Sequence, residues 1–165
     1  MVFGLGRKKK AKVTGTQVHD VKQAVTGSLF AVNMMALIDG KISPEERESL
    51  IRYANSFLGG RATPEEVLNH IEQMHGVLTS LDPRHWGTVF DEMKPFHKTD
   101  RSFIMHAAAS MAIADQELHE DEEHLMIGIS HWIGMSKSEF LQWCTEFQDR
   151  LNEAKTNGYT IKTSP

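Results

Sequence analysis

Ala36-Leu37-Ile38-Asp39-Gly40-Lys41-Ile42-Ser43-Pro44-Glu45-Glu46 is the stretch on which the fold turns. An apolar helix pattern stops at Asp39-Gly40, where glycine suits a turn with positive φ. Ser43 then stands as a capping residue, Pro44 at the first helical position and Glu46 three residues after the serine, which is the chemistry of a new helix start. A shift of 76 residues lays Ala112-Ile113-Ala114-Asp115-Gln116-Glu117-Leu118-His119-Glu120-Asp121-Glu122 on it. Both segments end an apolar helix at Asp, insert one aliphatic residue (Ile42 or Leu118) and open a helix with acids in its first turn. A fixed-period self-match predicts two related helical halves.

Outward from this pair the remaining signals are also helical. Upstream, Val18, Val21, Val25, Leu29, Val32 and Met35 or Ala36 recur at three- and four-residue steps from about Thr16. The helix opened at Ser43 runs to about Leu58, with Leu50, Ile51, Ala54 and Phe57 inward, and Gly59-Gly60 ends it. Thr63-Pro64-Glu65-Glu66 repeats the start chemistry ahead of Val67, Leu68, Ile71, Met74 and Leu78. Asp82-Pro83 opens a shorter helix carrying Trp86, Val89, Phe90 and Met93, closed around Pro95. A fifth, capped by Thr99 or Asp100, is apolar through Phe103, Ile104, Ala107, Ala108, Met111 and Ala112. A sixth spans about His119 to Trp132, and Ser136 with Glu139 boxes the last, whose face is Phe140, Cys144, Phe147 and Leu151. No strand pattern stands out. The sequence predicts an all-α fold of about seven helices in one compact domain. Its limits are a mobile basic N-terminal arm at 1–15, the helical domain at 16–154 and a frayed tail at 155–165.

The chain has 165 residues, enough for one domain with its own core. No apolar run reaches the 18 residues of a membrane span, and the longest, Phe103 to Ala114, contains His106. One cysteine, Cys144, excludes an internal disulfide and any multi-thiolate zinc site, which fits a cytoplasmic setting. The first residues carry neither a secretory signal nor a myristoylation pattern, because Val2 stands where glycine is required.

The net charge of -4 hides a split. Arg7, Lys8, Lys9, Lys10 and Lys12 put +5 on the first 12 residues, and the rest holds 13 bases against 22 acids, which is -9. With Phe3 and Leu5, the arm suits weak contact with an anionic membrane surface, such as the inner face, at on the order of 1 kcal/mol per basic residue. Contact with the chain's own acidic loops and a solvated tail are the alternatives. An acidic body argues against nucleic acid.

The acids gather at the two helix starts. Asp115, Glu117, Glu120, Asp121, Glu122 and Glu123 place six carboxylates in nine residues. Acids in a first turn complement the helix dipole, at roughly 0.3–1 kcal/mol each, so solvated helix caps are one reading. A docking surface for a basic protein partner is another. The third is a divalent cation, since Ca²⁺ takes six to eight oxygen ligands. If the halves pack about a pseudo-twofold, Asp39 and Glu46 approach Asp115 and Glu122.

Two familiar metal motifs fail. Counted from Asp39, the EF-hand positions for Gly and Glu hold Pro44 and Leu50; counted from Asp115 they hold Glu120 and Met126. His119 and His124 are five apart, whereas a zinc-protease helix needs four. His124 and His131 share a helix face and read as a surface pair. Cys144 lies on an apolar stripe, the methionines follow helical spacing as core filler, and Trp86, Trp132 and Trp143 read as packing residues. No nucleophile–base pair, phosphate loop or cofactor fingerprint is present.

At its two acidic segments the sequence resembles the tellurite-resistance TerB-like family, whose signature is a helix ending in Asp-Gly, an aliphatic, then an acidic helix start, in two copies. Asp39-Gly40-Lys41-Ile42-Ser43-Pro44-Glu45-Glu46 fits closely, and the second copy has Gln116 for Gly and His119 where Asp or Ser is expected. The likeness in helix order covers roughly Thr16 to Leu151. The resemblance implies an all-helical, cytoplasmic, non-enzymatic accessory or sensor protein of tellurite and other stress responses, with an acidic site for a divalent cation, Ca²⁺ or Mg²⁺. The ligands it implies are Asp39, Glu46, Asp115 and Glu122, with Glu45, Glu117 and Asp121 as outer members. The alternative function is a metal-independent adaptor joining protein partners at the membrane surface.

Overall fold

The computed structural model describes residues 21–38, 40, 42–57, 63–114, 117–158 and 162–163. The basic arm, Val18 and the other residues before 21, and the Gly59-Gly60 stop lie outside them. Among the described residues seven helical segments follow in order: α1 (Val21–Leu37), α2 (Pro44–Phe57), α3 (Pro64–Thr79), a 3₁₀ helix (Pro83–Met93), α4 (Lys98–Ala112), α5 (Glu120–Trp132) and α6 (Lys137–Thr156). The fold is all-α, as the sequence predicts. The one extended pairing among the described residues is short: β1 (Glu117–Leu118) runs parallel to β2 (Lys162–Thr163).

The caps explain where the helices begin. Thr63 and Ser136 make boxes with Glu66 and Glu139, each hydroxyl accepting the N–H three residues on while the glutamate accepts the cap's own N–H. The α4 start is a correction: the helix begins at Lys98, capped by His97, and Asp100 is the third helical residue, accepting the His97 N–H at 3.2 Å. Gly40 follows α1 at φ +75°, as its place in the turn requires.

α1 and α4 lie against each other at the centre, and α2, α3, α5 and the 3₁₀ helix also pack on α1. With neighbours on several sides, Ala31 through Ala36 are all buried, beyond the single face that the periodicity of α1 suggests. Leu29, Met34 and Met35 of α1 meet Ile104, Met105 and Met111 of α4 in one core. Gly27 permits the approach, since a Cβ there would sit 2.8 Å from Ile104 Cδ1. Met74 and Met126 are also buried, as core filler should be. Phe103 is a second correction: it is 41% exposed, while Ile104 beside it carries the burial.

The segment after Asp82 is 3₁₀ rather than α. Trp86 and Phe90 are buried there, and the Trp86 indole N–H donates to the Leu78 carbonyl at 3.0 Å. Asp82 Oδ1 accepts the Arg84 N–H, and the Arg84 guanidinium on the same side chain holds its carboxyl far below the usual carboxylate range. α6 is fastened to α4 by side chains. Arg101 forks onto Glu139, and the Trp143 indole N–H donates to His106 Nδ1 at 3.2 Å. Among the described residues no helix is long and apolar enough to cross a membrane.

Candidate functional site

Each acidic link joins the end of a central helix to a helix packed on it: α1 to α2, and α4 to α5. Cross-contacts also exist, α5 against α1 and α2 against α4. The glutamates at matching positions of the two links have matching roles. Glu46 Oε2 accepts the Ser43 N–H at 2.7 Å, and Glu122 Oε2 accepts the His119 N–H at 2.8 Å. Ser43 completes its box by accepting the Glu46 N–H at 3.1 Å. Both carboxylates are buried, 8% and 6% exposed as residues. A buried carboxylate is costly without hydrogen bonds or a neighbouring positive charge, and here the helix N-terminus supplies part of that compensation.

Of the other acids predicted for the site, Glu45 and Asp121 are solvent-exposed in the first turns of α2 and α5. Glu120 and Glu123 join Asp121 on the exposed side of that turn. Asp39 and Asp115, and the side chain of Glu117, lie outside the described residues, so the four inner carboxylates are not seen together. Among the described residues, no three His, Cys, Asp or Glu side chains gather closely enough to hold an ion.

The flanks of the two links share one depression. A polar cleft of about 400 Å³ between α2 and the end of α4 is lined by Glu45, Glu48, Ser49, Arg52, Tyr53, Ser110 and Ala114. Ala114 immediately precedes Asp115, and Glu45 lies six residues after Asp39. Its polar groups are carboxylate and hydroxyl oxygens, the hard donors that Ca²⁺ and Mg²⁺ accept, together with the Arg52 guanidinium, which is paired with Glu48 at 3.1 Å. A second, smaller cavity of about 170 Å³ between α2 and α3 is largely aliphatic, with Ile42, Leu50, Ile51, Leu68 and Ile71 in its wall.

Sequence reasoning missed two polar contacts near α6, Arg101 with Glu139 and His106 with Trp143, because each joins residues far apart in the chain. Cys144 is half-buried on α6, and burial pushes its thiol up, away from the reactive thiolate.

The capping role of the two buried glutamates is separable from their charge, because glutamine also closes a capping box. Glu46→Ala and Glu122→Ala are each expected to lower stability by about 1 kcal/mol in urea unfolding. Glu46→Gln and Glu122→Gln should keep most of it. Equal losses in the alanine and glutamine variants would show that charge, not the box, carries the effect.

A search of curated proteins and a search of solved structures each found no match. A protein-family model described as "Tellurite resistance protein TerB" matches residues 24–143, from the first turns of α1 to Trp143 of α6, and so takes in both acidic links. With most of its length matched, the chain belongs to the TerB family of tellurite-resistance proteins.

Proposed function

We propose that this TerB-family protein binds a divalent cation, Ca²⁺ or Mg²⁺, at its acidic links and serves as a non-enzymatic accessory or sensor protein in the response to tellurite and related stress. The observation that carries the reading is the shared cleft, in which Glu45 of the first link and Ala114 at the edge of the second face one depression. Asp39, Glu46, Asp115 and Glu122 are the inner donors, with Glu45, Glu117 and Asp121 around them. The chemistry is electrostatic: an ion relieves the repulsion among carboxylates crowded at two helix starts. Because those links join the central helices α1 and α4 to α2 and α5, occupancy would stiffen the junctions between them. A partner protein that binds only the stiffened form would read the ion.

Calorimetric titration with Ca²⁺ and with Mg²⁺ tests this. Saturable binding is expected for the full chain, and its loss is expected in the double variant Asp39→Asn/Asp115→Asn. No heat at millimolar Ca²⁺ or Mg²⁺ would sink the reading and leave the metal-independent adaptor in its place.

A further inference from the structure

α2 and α3 meet through matched stripes. Arg47 with Leu50 and Ile51 on α2, and Leu68 with Ile71, Glu72 and His75 on α3, have the sequence offsets that set side chains on one helix face. Together with Ile42 of the first link they line the cavity of about 170 Å³ between the two helices. Its apolar wall grades outward from buried Leu50 and Ile71 to half-buried Ile42, Ile51 and Leu68. The polar residues stand at the mouth, Arg47 and Glu72 exposed and His75 half-buried. A base of α2 and an acid of α3 thus share one small space, yet among the described residues none of these three side chains has a hydrogen-bond or ion-pair partner.

An apolar pocket with a few polar groups at its rim is the ordinary form of a small-ligand site. A dry cavity of about 150 Å³ takes a guest of benzene's size, so this one has room for a branched aliphatic side chain but not for a long acyl chain. A purely apolar guest leaves both rim charges unused. So does an aliphatic side chain of a partner protein, whose own backbone is neutral. Opposite charges at one mouth suit a guest that carries both.

We propose that this cavity is a site for a free aliphatic α-amino acid of the size of leucine or isoleucine. The ligand's side chain enters between α2 and α3. Its carboxylate meets the Arg47 guanidinium, a fork matched to two carboxylate oxygens, with a His75 ring N–H beside it. Its ammonium meets the Glu72 carboxylate. The bound side chain rests against Ile42, in the segment that joins α1 to α2. None of the proposed cation ligands takes part, so the site stands apart from the cation reading.

The test is methyl NMR of the full chain, labelled at isoleucine and leucine methyls and free of added metal. It is titrated with L-leucine, with isocaproate (the same side chain without the ammonium) and with isoamylamine (without the carboxylate). The Ile42, Ile51, Leu68 and Ile71 signals should move together and saturate with L-leucine. Each one-charge analogue should bind about threefold to tenfold more weakly, the range of a partly exposed charge pair. Arg47→Gln should weaken L-leucine and isocaproate but not isoamylamine, and Glu72→Gln should weaken L-leucine and isoamylamine but not isocaproate. Both positions are exposed, so these variants keep the fold. No movement of these methyls at tens of millimolar L-leucine overturns the proposal. So does L-leucine binding that is no tighter than that of either analogue, or indifferent to either substitution, since the cavity would then accept any aliphatic guest.

Discussion

Replacing Gly87 by alanine is expected to lower stability by about 3 kcal/mol, at the upper end of the ordinary cost of overpacking. A Cβ at this position would lie 2.5 Å from Cδ1 and Cγ of Trp132 and 2.6 Å from its indole nitrogen. The obstacle is the middle of a rigid ring, so no small rotation of a flexible chain end relieves it. The backbone must shift instead, and with it the contact of the 3₁₀ helix on α5. For a domain of this size the melting temperature should fall by about 6–12 °C. Gly76→Ala supplies a control of opposite sign. That glycine lies inside α3 with nothing within 4 Å of the added carbon, so alanine should stabilise by roughly 0.5–1 kcal/mol. Combining Gly87→Ala with Trp132→Leu should cost less than the sum of the two single changes, since the clash is gone in the pair. A Gly87→Ala protein that melts with the parent would show that this close approach does not exist in solution.

Helix starts were the most legible part of the fold. Ser43, Thr63 and Ser136 each precede a glutamate by three residues, a local chemistry that works within one turn. The α4 start escaped because histidine is not among the usual caps, and Asp100 draws the eye as a cap when it is the box's third helical residue. The centrality of α1 escaped for a different reason. Periodicity measures one apolar face, and residues 31–36 are buried on every side, Asn33 included, its amide donating to the Leu29 carbonyl at 2.8 Å. The 3₁₀ geometry of residues 83–93 was hidden because Trp86, Val89, Phe90 and Met93 fit steps of three in either kind of helix.

The candidate site was legible as composition and opaque as geometry. Acid density and the two-copy pattern point to Glu46 and Glu122, yet only at Glu46 does the sequence also display the capping serine. At the second link the same hydrogen bond forms from the backbone of His119, which any residue could offer. The cleft that joins Glu45 to Ala114 depends on α2 lying beside α4, a tertiary fact with no local signature. The β1–β2 pairing is of the same kind, two residues against two across more than forty positions of chain.

Arg101→Ala should be nearly as damaging as the change at Gly87, about 2–3 kcal/mol, and for a reason that reaches α6. The guanidinium makes two parallel bonds to Glu139, both 3.0 Å, and a third to the Phe96 carbonyl at 2.6 Å. The pair is largely withdrawn from water, with side chains 20% and 13% exposed. Removing one member of a buried pair is costly because the survivor's charge stays behind. Removing the survivor's charge as well should therefore recover part of the loss, so Arg101→Ala/Glu139→Gln is expected to be more stable than Arg101→Ala. Glutamine at 139 can still close the Ser136 box. Arg101→Lys keeps the charge but not the fork and should fall between parent and alanine. Trp143 reports on the attachment, because its indole N–H reaches His106 on α4 and its ring stacks between Phe140 and Phe147. If Arg101 fastens α6, the alanine variant should show Trp143 emission shifted toward that of an indole in water before global unfolding. Coincident fluorescence and circular-dichroism transitions in that variant would instead mean that α6 is held by its aromatic face, and that the ion pair only orients it.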